Sequence, residues 1–187
     1  MLKDKVVLGL VVGILADAVK LSVNYLAYYL GFTSVVFWQI VAGTVLSRAD
    51  IFTPLGLLIG ALADVVVTSI LGSVFIYLLS LSGRENIWIK GAGFGMFAWI
   101  NFFVFVQGVL LKGKISPEPR GILVTFVAHL CFGLALAAFT LFFTGNYHGL
   151  KNKQQERQGS NAGRETFKVH RRLTVNLKKA VKPRKLL

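Results

Sequence analysis

VVLGLVVGILADAVKLSVNYLAYYL, residues Val6 to Leu30, holds two charged side chains, Asp17 and Lys20, in 25 positions. At 1.5 Å of rise per residue such a run makes a helix of about 37 Å, enough to cross a hydrocarbon core about 30 Å thick. Its solvent is therefore expected to be lipid. A spanning segment must satisfy its own backbone polar groups, and no alternation of apolar and polar residues marks a strand, so helix is expected over barrel.

Working outward, three further stretches have the same character: Pro54 to Ser82, Trp88 to Leu111 and Arg120 to Thr144. Thr53-Pro54 reads as an N-cap with proline in the first turn, Ser82-Gly83 as a stop, and Ser116-Pro117-Glu118-Pro119 as a rigid entry to the last helix. The expected fold is all-α: a four-helix transmembrane bundle over residues 1–148, followed by a basic, partly disordered tail over 149–187. Residues 33–47 are apolar but only 15 long before Arg48 and Asp50. They are expected to form a short re-entrant or interfacial helix, with a fifth span as the alternative.

Composition agrees with this class. Of 187 residues 55% are hydrophobic and 16% charged, against about 25% charged in soluble chains, and mean hydropathy is +0.64. The net charge of +13 is divided unevenly, +3 in residues 1–150 and +10 in 151–187. A basic excess behind a hydrophobic body points to anionic lipid head groups rather than nucleic acid. Cys131 is the only cysteine, which excludes an intrachain disulfide. Met1 to Lys5, the apolar run and Ala16-Asp17-Ala18 imitate a secretory signal. The hydrophobic stretch continues to Leu30, however, and an uncleaved first span is expected.

Orientation follows the positive-inside rule. Lys3, Lys5, Arg84, Lys90 and the tail fall on one side of four spans, against Arg48, Lys112, Lys114 and Arg120 on the other. Both termini are expected in the cytoplasm, at the cytoplasmic (inner) membrane. Trp38, Trp88, Tyr25, Tyr28, Tyr29 and Tyr147 suit interfacial belts.

The first two spans share a signature. Gly9, Gly13, Ala16 and Asp17 align at an offset of 47 with Gly56, Gly60, Ala63 and Asp64, within nine positions of which six are identical. Gly91 and Gly95 in the third span, and Gly121 with Thr125, Ala128 and His129 in the fourth, echo it. Small residues at steps of four and three let helix backbones approach closely, which is how helices associate where lipid supplies no hydrophobic force. These residues are the expected packing faces.

Asp17, Lys20, Asp64 and His129 lie deep in their spans. An ionised side chain at the bilayer centre costs about 2.5–3.5 kcal/mol on insertion scales, so each should face the bundle interior or find a partner. Asp17 and Lys20, three apart, are neighbours on one helix face. Asp64 needs a proton, water, a cation or a basic group from another helix, with His129 and Lys20 as candidates. Either these residues converge as a proton or cation site, or they are polar contacts that pair helices. Asn24, Gln39, Asn101 and Gln107 are expected to hydrogen-bond between helices.

In the tail, residues 151–163 lack apolar periodicity. From Glu165 to Val181 an i, i+4 stripe accompanies Lys168, Arg171, Arg172, Lys178 and Lys179, which would lie on an anionic lipid surface as an amphipathic helix. No nucleophile elbow, Walker A loop, paired CxxC, HExxH or dinucleotide fingerprint is present. No enzyme activity, cofactor or metal is expected.

The opening residues Met1-Leu-Lys-Asp-Lys-Val-Val-Leu-Gly-Leu-Val-Val-Gly resemble the start of small four-span integral membrane proteins of Gram-positive-type bacteria. That resemblance covers the first helix and implies no activity. The leading expectation is a non-enzymatic scaffold or assembly protein, with a homo-oligomer or another membrane protein as partner and a tail that engages lipid or protein. The alternative is a small proton- or cation-coupled transporter or channel that uses Asp17, Asp64 and His129.

Overall fold

The computed structural model describes residues 4–103 and 118–145, and these are helical throughout with short connections and no strand. Five helices follow in order: α1 (Lys5–Tyr29), α2 (Phe37–Ala42), α3 (Pro54–Ser82), α4 (Ile87–Asn101) and α5 (Pro119–Gly145). The chain divides into two compact units, 1–143 and 144–187. The second lies almost wholly outside the described residues, and with it the expectations for the tail, Lys168, Arg171, Arg172, Lys178 and Lys179 included. Gln107, Lys112, Lys114 and Tyr147 also fall outside.

Local chemistry explains the boundaries. Asp4 caps α1, its carboxylate accepting from the Val6 amide at 2.8 Å. Thr53 caps α3 through the Gly56 amide at 3.0 Å, with Pro54 in the first turn. Gly83, at φ +76°, ends α3 in a conformation that side chains disfavour. The Lys90 ammonium then donates to the Ser82 and Gly83 carbonyls at 2.8 and 3.0 Å, meeting the negative end of α3.

Helices α1, α3 and α5 are long and apolar enough to cross a membrane. Their surfaces are inverted relative to a water-soluble fold. On α3, Leu55, Leu58, Leu62, Val66, Ile70, Val74, Leu78 and Leu81 are exposed along the full length of one face, while Asp64, Thr68 and Ser69 are buried. An apolar stripe of that extent would drive aggregation in water; against lipid tails it costs nothing. The chain is a membrane-embedded helical protein. The third expected span, Trp88 to Leu111, corresponds to α4 for its first part; α4 widens into a π-turn at Phe102 and Phe103, and residues 104–111 lie outside the described set.

Residues 33–47 hold no helix long enough to cross a membrane. They hold the six-residue α2, about 9 Å long, with Phe37, Ile40 and Ala42 buried. The carbonyl of Trp38 and the amide of Ala42 sit against Gly60 of α3. Two polar side chains secure the start of α2: Asn24 accepts from the Phe37 amide at 2.8 Å, and Gln39 from the Val36 amide at 3.0 Å.

Helices α1 and α3 run antiparallel with their backbones in contact. Gly9 faces Ser73, and Gly13 faces Thr68 and Ser69. A Cβ on Gly72 would lie 2.6 Å from the Gly13 amide nitrogen, so only glycine fits there. Helices α4 and α5 repeat the device, Gly91 and Gly95 packing on the Gly133 and His129 backbone. Of the expected small-residue faces, those at Gly9, Gly13, Ala16, Gly91 and Gly95 are helix-to-helix contacts, with Ala16 fully buried. Gly56 and Gly60 are buried too, but beneath the 50–51 turn and α2 rather than another span. Ala63 is half-buried. At Gly121 a Cβ would lie 3.3 Å from the Thr33 hydroxyl, and Gly133 makes an α4–α5 backbone contact that the small-residue pattern did not include. Gly121 lies in the first turn of α5, beside the connection that leaves α1.

Candidate functional site

The antiparallel α1–α3 contact determines which charges meet. Gly13 lies opposite Ser69, so about two further turns along α1, against about one and a half back along α3, bring Lys20 opposite Asp64. The Lys20 ammonium donates to Asp64 Oδ1 at 2.6 Å and lies 2.8 Å from Asp17 Oδ1 across one helical turn. The relative exposures are 2% for Lys20, 1% for Asp17 and 4% for Asp64, so water contributes almost nothing to their solvation. Lys20 is about 13 Å from the end of α1 at Tyr29, and Asp17 about 18 Å from the other end. The cluster therefore sits at mid-depth.

Aromatic rings complete the shell. The Lys20 ammonium is 4.3 Å from the Phe37 ring centroid and 5.9 Å from that of Phe132. A desolvated cation gains from such faces, about 2 kcal/mol in favourable cases. The carboxylates are less well provided for. Asp17 Oδ1 is held by the ammonium as an ion pair, while Asp17 Oδ2 and Asp64 Oδ2 have no hydrogen-bond partner among the described residues. Buried carboxylate oxygens are normally bonded, and an orphan costs a few kcal/mol.

The charge count is the central feature. One ammonium balances one carboxylate; the second leaves an excess negative charge in a medium where an uncompensated ion is expensive. Ordinary helix pairing would need Lys20 and a single aspartate.

His129 does not join the carboxylates. Its Nδ1 is 2.7 Å from the Thr125 carbonyl, and its ring packs against Phe37 and Phe102 at centroid distances of 5.4 and 5.6 Å. Of the two partners expected for Asp64, Lys20 is the one in contact. His129 packs on the Phe37 ring, which also covers the Lys20 ammonium. Phe37 itself had no place in the sequence reading; its signal was a bulky aromatic within a run too short to span. No group of three or more His, Cys, Asp or Glu side chains suited to a metal ion occurs among the described residues.

Beside Phe37 opens a cleft of about 490 Å³, lined by Leu21, Asn24, Tyr25, Tyr28, Phe37 and Trp38 among others. It lies at the α1 C-terminal end of the bundle. Of its polar lining residues, Asn24 and Gln39 are engaged in holding α2, and the Ser22 hydroxyl donates to the Ala18 carbonyl.

No protein-family model, no curated protein and no solved structure matches this chain.

Proposed function

We propose that this chain is a four-span bundle of the cytoplasmic membrane, with both termini in the cytoplasm, that moves protons or small cations by loading and unloading the Asp17–Lys20–Asp64 centre. The observation that carries the reading is the mismatch of two buried carboxylates against one ammonium, with Asp17 Oδ2 and Asp64 Oδ2 lacking hydrogen-bond partners among the described residues. Ionisable groups are retained at membrane depth where they act on ions or protons. A purely structural contact would be balanced.

The test is flux. Purified full-length chain in proteoliposomes is placed under a pH or alkali-cation gradient, with interior pH or cation followed by an entrapped dye. Wild type should exceed empty vesicles, and Asp64→Asn, which leaves a balanced Asp17–Lys20 pair, should insert normally and lose the flux. Wild-type vesicles indistinguishable from empty ones would remove the proposal.

A second reading is a scaffold whose tail grips lipid or a partner protein, favoured by the +10 charge of residues 151–187. Each basic group near an anionic leaflet contributes about 1 kcal/mol. On this reading, deleting 151–187 leaves insertion intact and abolishes capture of anionic-lipid vesicles or of the partner.

A further inference from the structure

Two carboxylates and one ammonium leave one negative charge to be balanced, and the geometry bears on what balances it. Resting on the ion-moving reading, we propose that the ligand of the centre is a single proton shared by Asp17 and Asp64, and that it arrives through the aromatic cleft with the Phe37 ring as gate.

A metal cation fits poorly. Hard cations take about six or more oxygen ligands, whereas the two side chains here offer four oxygens, two of which already face the Lys20 ammonium. The Lys20 ammonium also lies 2.6 and 2.8 Å from the two carboxylates, so an added cation would sit beside a like charge. A proton needs one oxygen and no coordination shell. It converts an unbonded carboxylate oxygen into a hydroxyl and removes the excess charge beside Lys20.

Among the described residues, the remaining groups near the centre supply no rival. From α5, His129 is turned to the Thr125 carbonyl. From α2, Phe37–Ala42, there is no titratable side chain. From α4, Lys90 is held at the far end by the Ser82 and Gly83 carbonyls. On α3, Tyr77 is exposed, so Asp64 is the buried ionisable residue of that helix. The proton therefore resides on the α1–α3 pair.

The route follows from what is closed. Toward the α1 N-terminus, Gly9, Gly13 and Gly72 bring two backbones into contact, and Phe75, Phe132 and Leu136 are fully buried. Toward the other end, Phe37 alone belongs both to the wall of the cleft and to the shell of Lys20. It stands on a helix of six residues tied to α1 by the Asn24 bond. A small displacement of α2 would open the centre to the cleft without breaking a long helix.

Infrared difference spectroscopy of the full chain in liposomes tests this independently of transport. Wild type at neutral pH should show a protonated-carboxyl C=O band, absent from Asp17→Asn and Asp64→Asn alike, because either change balances Lys20 with one carboxylate. On transfer to D2O the band should shift slowly in wild type. In Phe37→Ala it should shift about ten-fold faster, equivalent to a gating barrier lower by about 1.4 kcal/mol. Persistence of the band itself reports an intact centre in the variant, and Phe37→Leu, which keeps a bulky side chain, serves if the alanine variant does not fold. No band in wild type, a band surviving either aspartate change, or unaltered exchange on opening Phe37 overturns the proposal. Flux without the band refutes the proton and its route while sparing ion movement; the band without flux does the reverse.

Discussion

Replacing Lys20 with methionine should damage this protein far more than neutralising either of the aspartates it touches. Methionine keeps the unbranched shape in the Phe37–Phe132 shell but removes the cation, leaving Asp17 and Asp64, at 1% and 4% exposure, without a counter-ion. Removing one partner of a buried ion pair costs about 3–5 kcal/mol. At about 2–4 °C per kcal/mol for a chain of this size, the thermal midpoint should fall by roughly 10 °C. Asp17→Asn acts in the opposite sense: Lys20 keeps the hydrogen bond to Asp64 at 2.6 Å, the excess charge disappears, and the cost should be about 1 kcal/mol or less. Asp64→Asn should lie between, at about 1.5–3 kcal/mol for a charge-assisted hydrogen bond. Thermal unfolding in one detergent, with membrane fractionation to verify insertion, ranks the three. If Asp17→Asn proves as costly as Lys20→Met, or Lys20→Met behaves as wild type, the shared-ammonium arrangement is wrong.

Backbone contact at Gly72 makes the α1–α3 interface intolerant of bulk. Gly72→Val should cost more than the usual 1–3 kcal/mol of overpacking, about 3 kcal/mol or above, because the obstructing atoms are main chain. Gly93→Ala, where the added methyl meets nothing within 4 Å, should instead gain up to about 1 kcal/mol of helix propensity in the same melt. Asn24→Leu leaves the Phe37 amide without its acceptor and should cost about 1–3 kcal/mol. It should also speed tryptic cleavage at exposed Arg48 in the connection after α2, and an unchanged rate would remove Asn24 as the anchor of that segment.

The boundaries of the first and third helices were legible because charge-free length and capping residues are local properties. Val6 to Leu30 and Pro54 to Ser82 match α1 and α3 to within a residue. The Asp17–Lys20 pair was legible for the same reason, being one turn of one helix. The identity of the partner for Asp64 was not, since it depends on α1 and α3 packing antiparallel with Gly13 at Thr68 and Ser69, a register that no local pattern encodes. The glycine repeat shows how a correct signal can mislead about its use. Both copies mark close backbone approach, yet in α3 that face receives α2, and the contact with α1 falls to Gly72, outside the repeat. His129 looked like a partner because histidine can take a charge; its ring instead fills space against Phe37 and Phe102. Phe37 was missed because its importance lies in the ammonium it covers, and that ammonium comes from another helix.

Whether one lysine truly bridges two helices at the middle of the bilayer can be measured directly. Solid-state NMR on the full chain in lipid bilayers, with lysine 15Nζ and aspartate 13Cγ labels, reads the dipolar coupling between them. The predicted result is one lysine signal coupled at contact distance to two aspartate carboxyls, abolished by Lys20→Met and reduced to a single coupling by Asp64→Asn. A Lys20 signal coupled to Asp17 alone, as any isolated helix would give, would contradict the account.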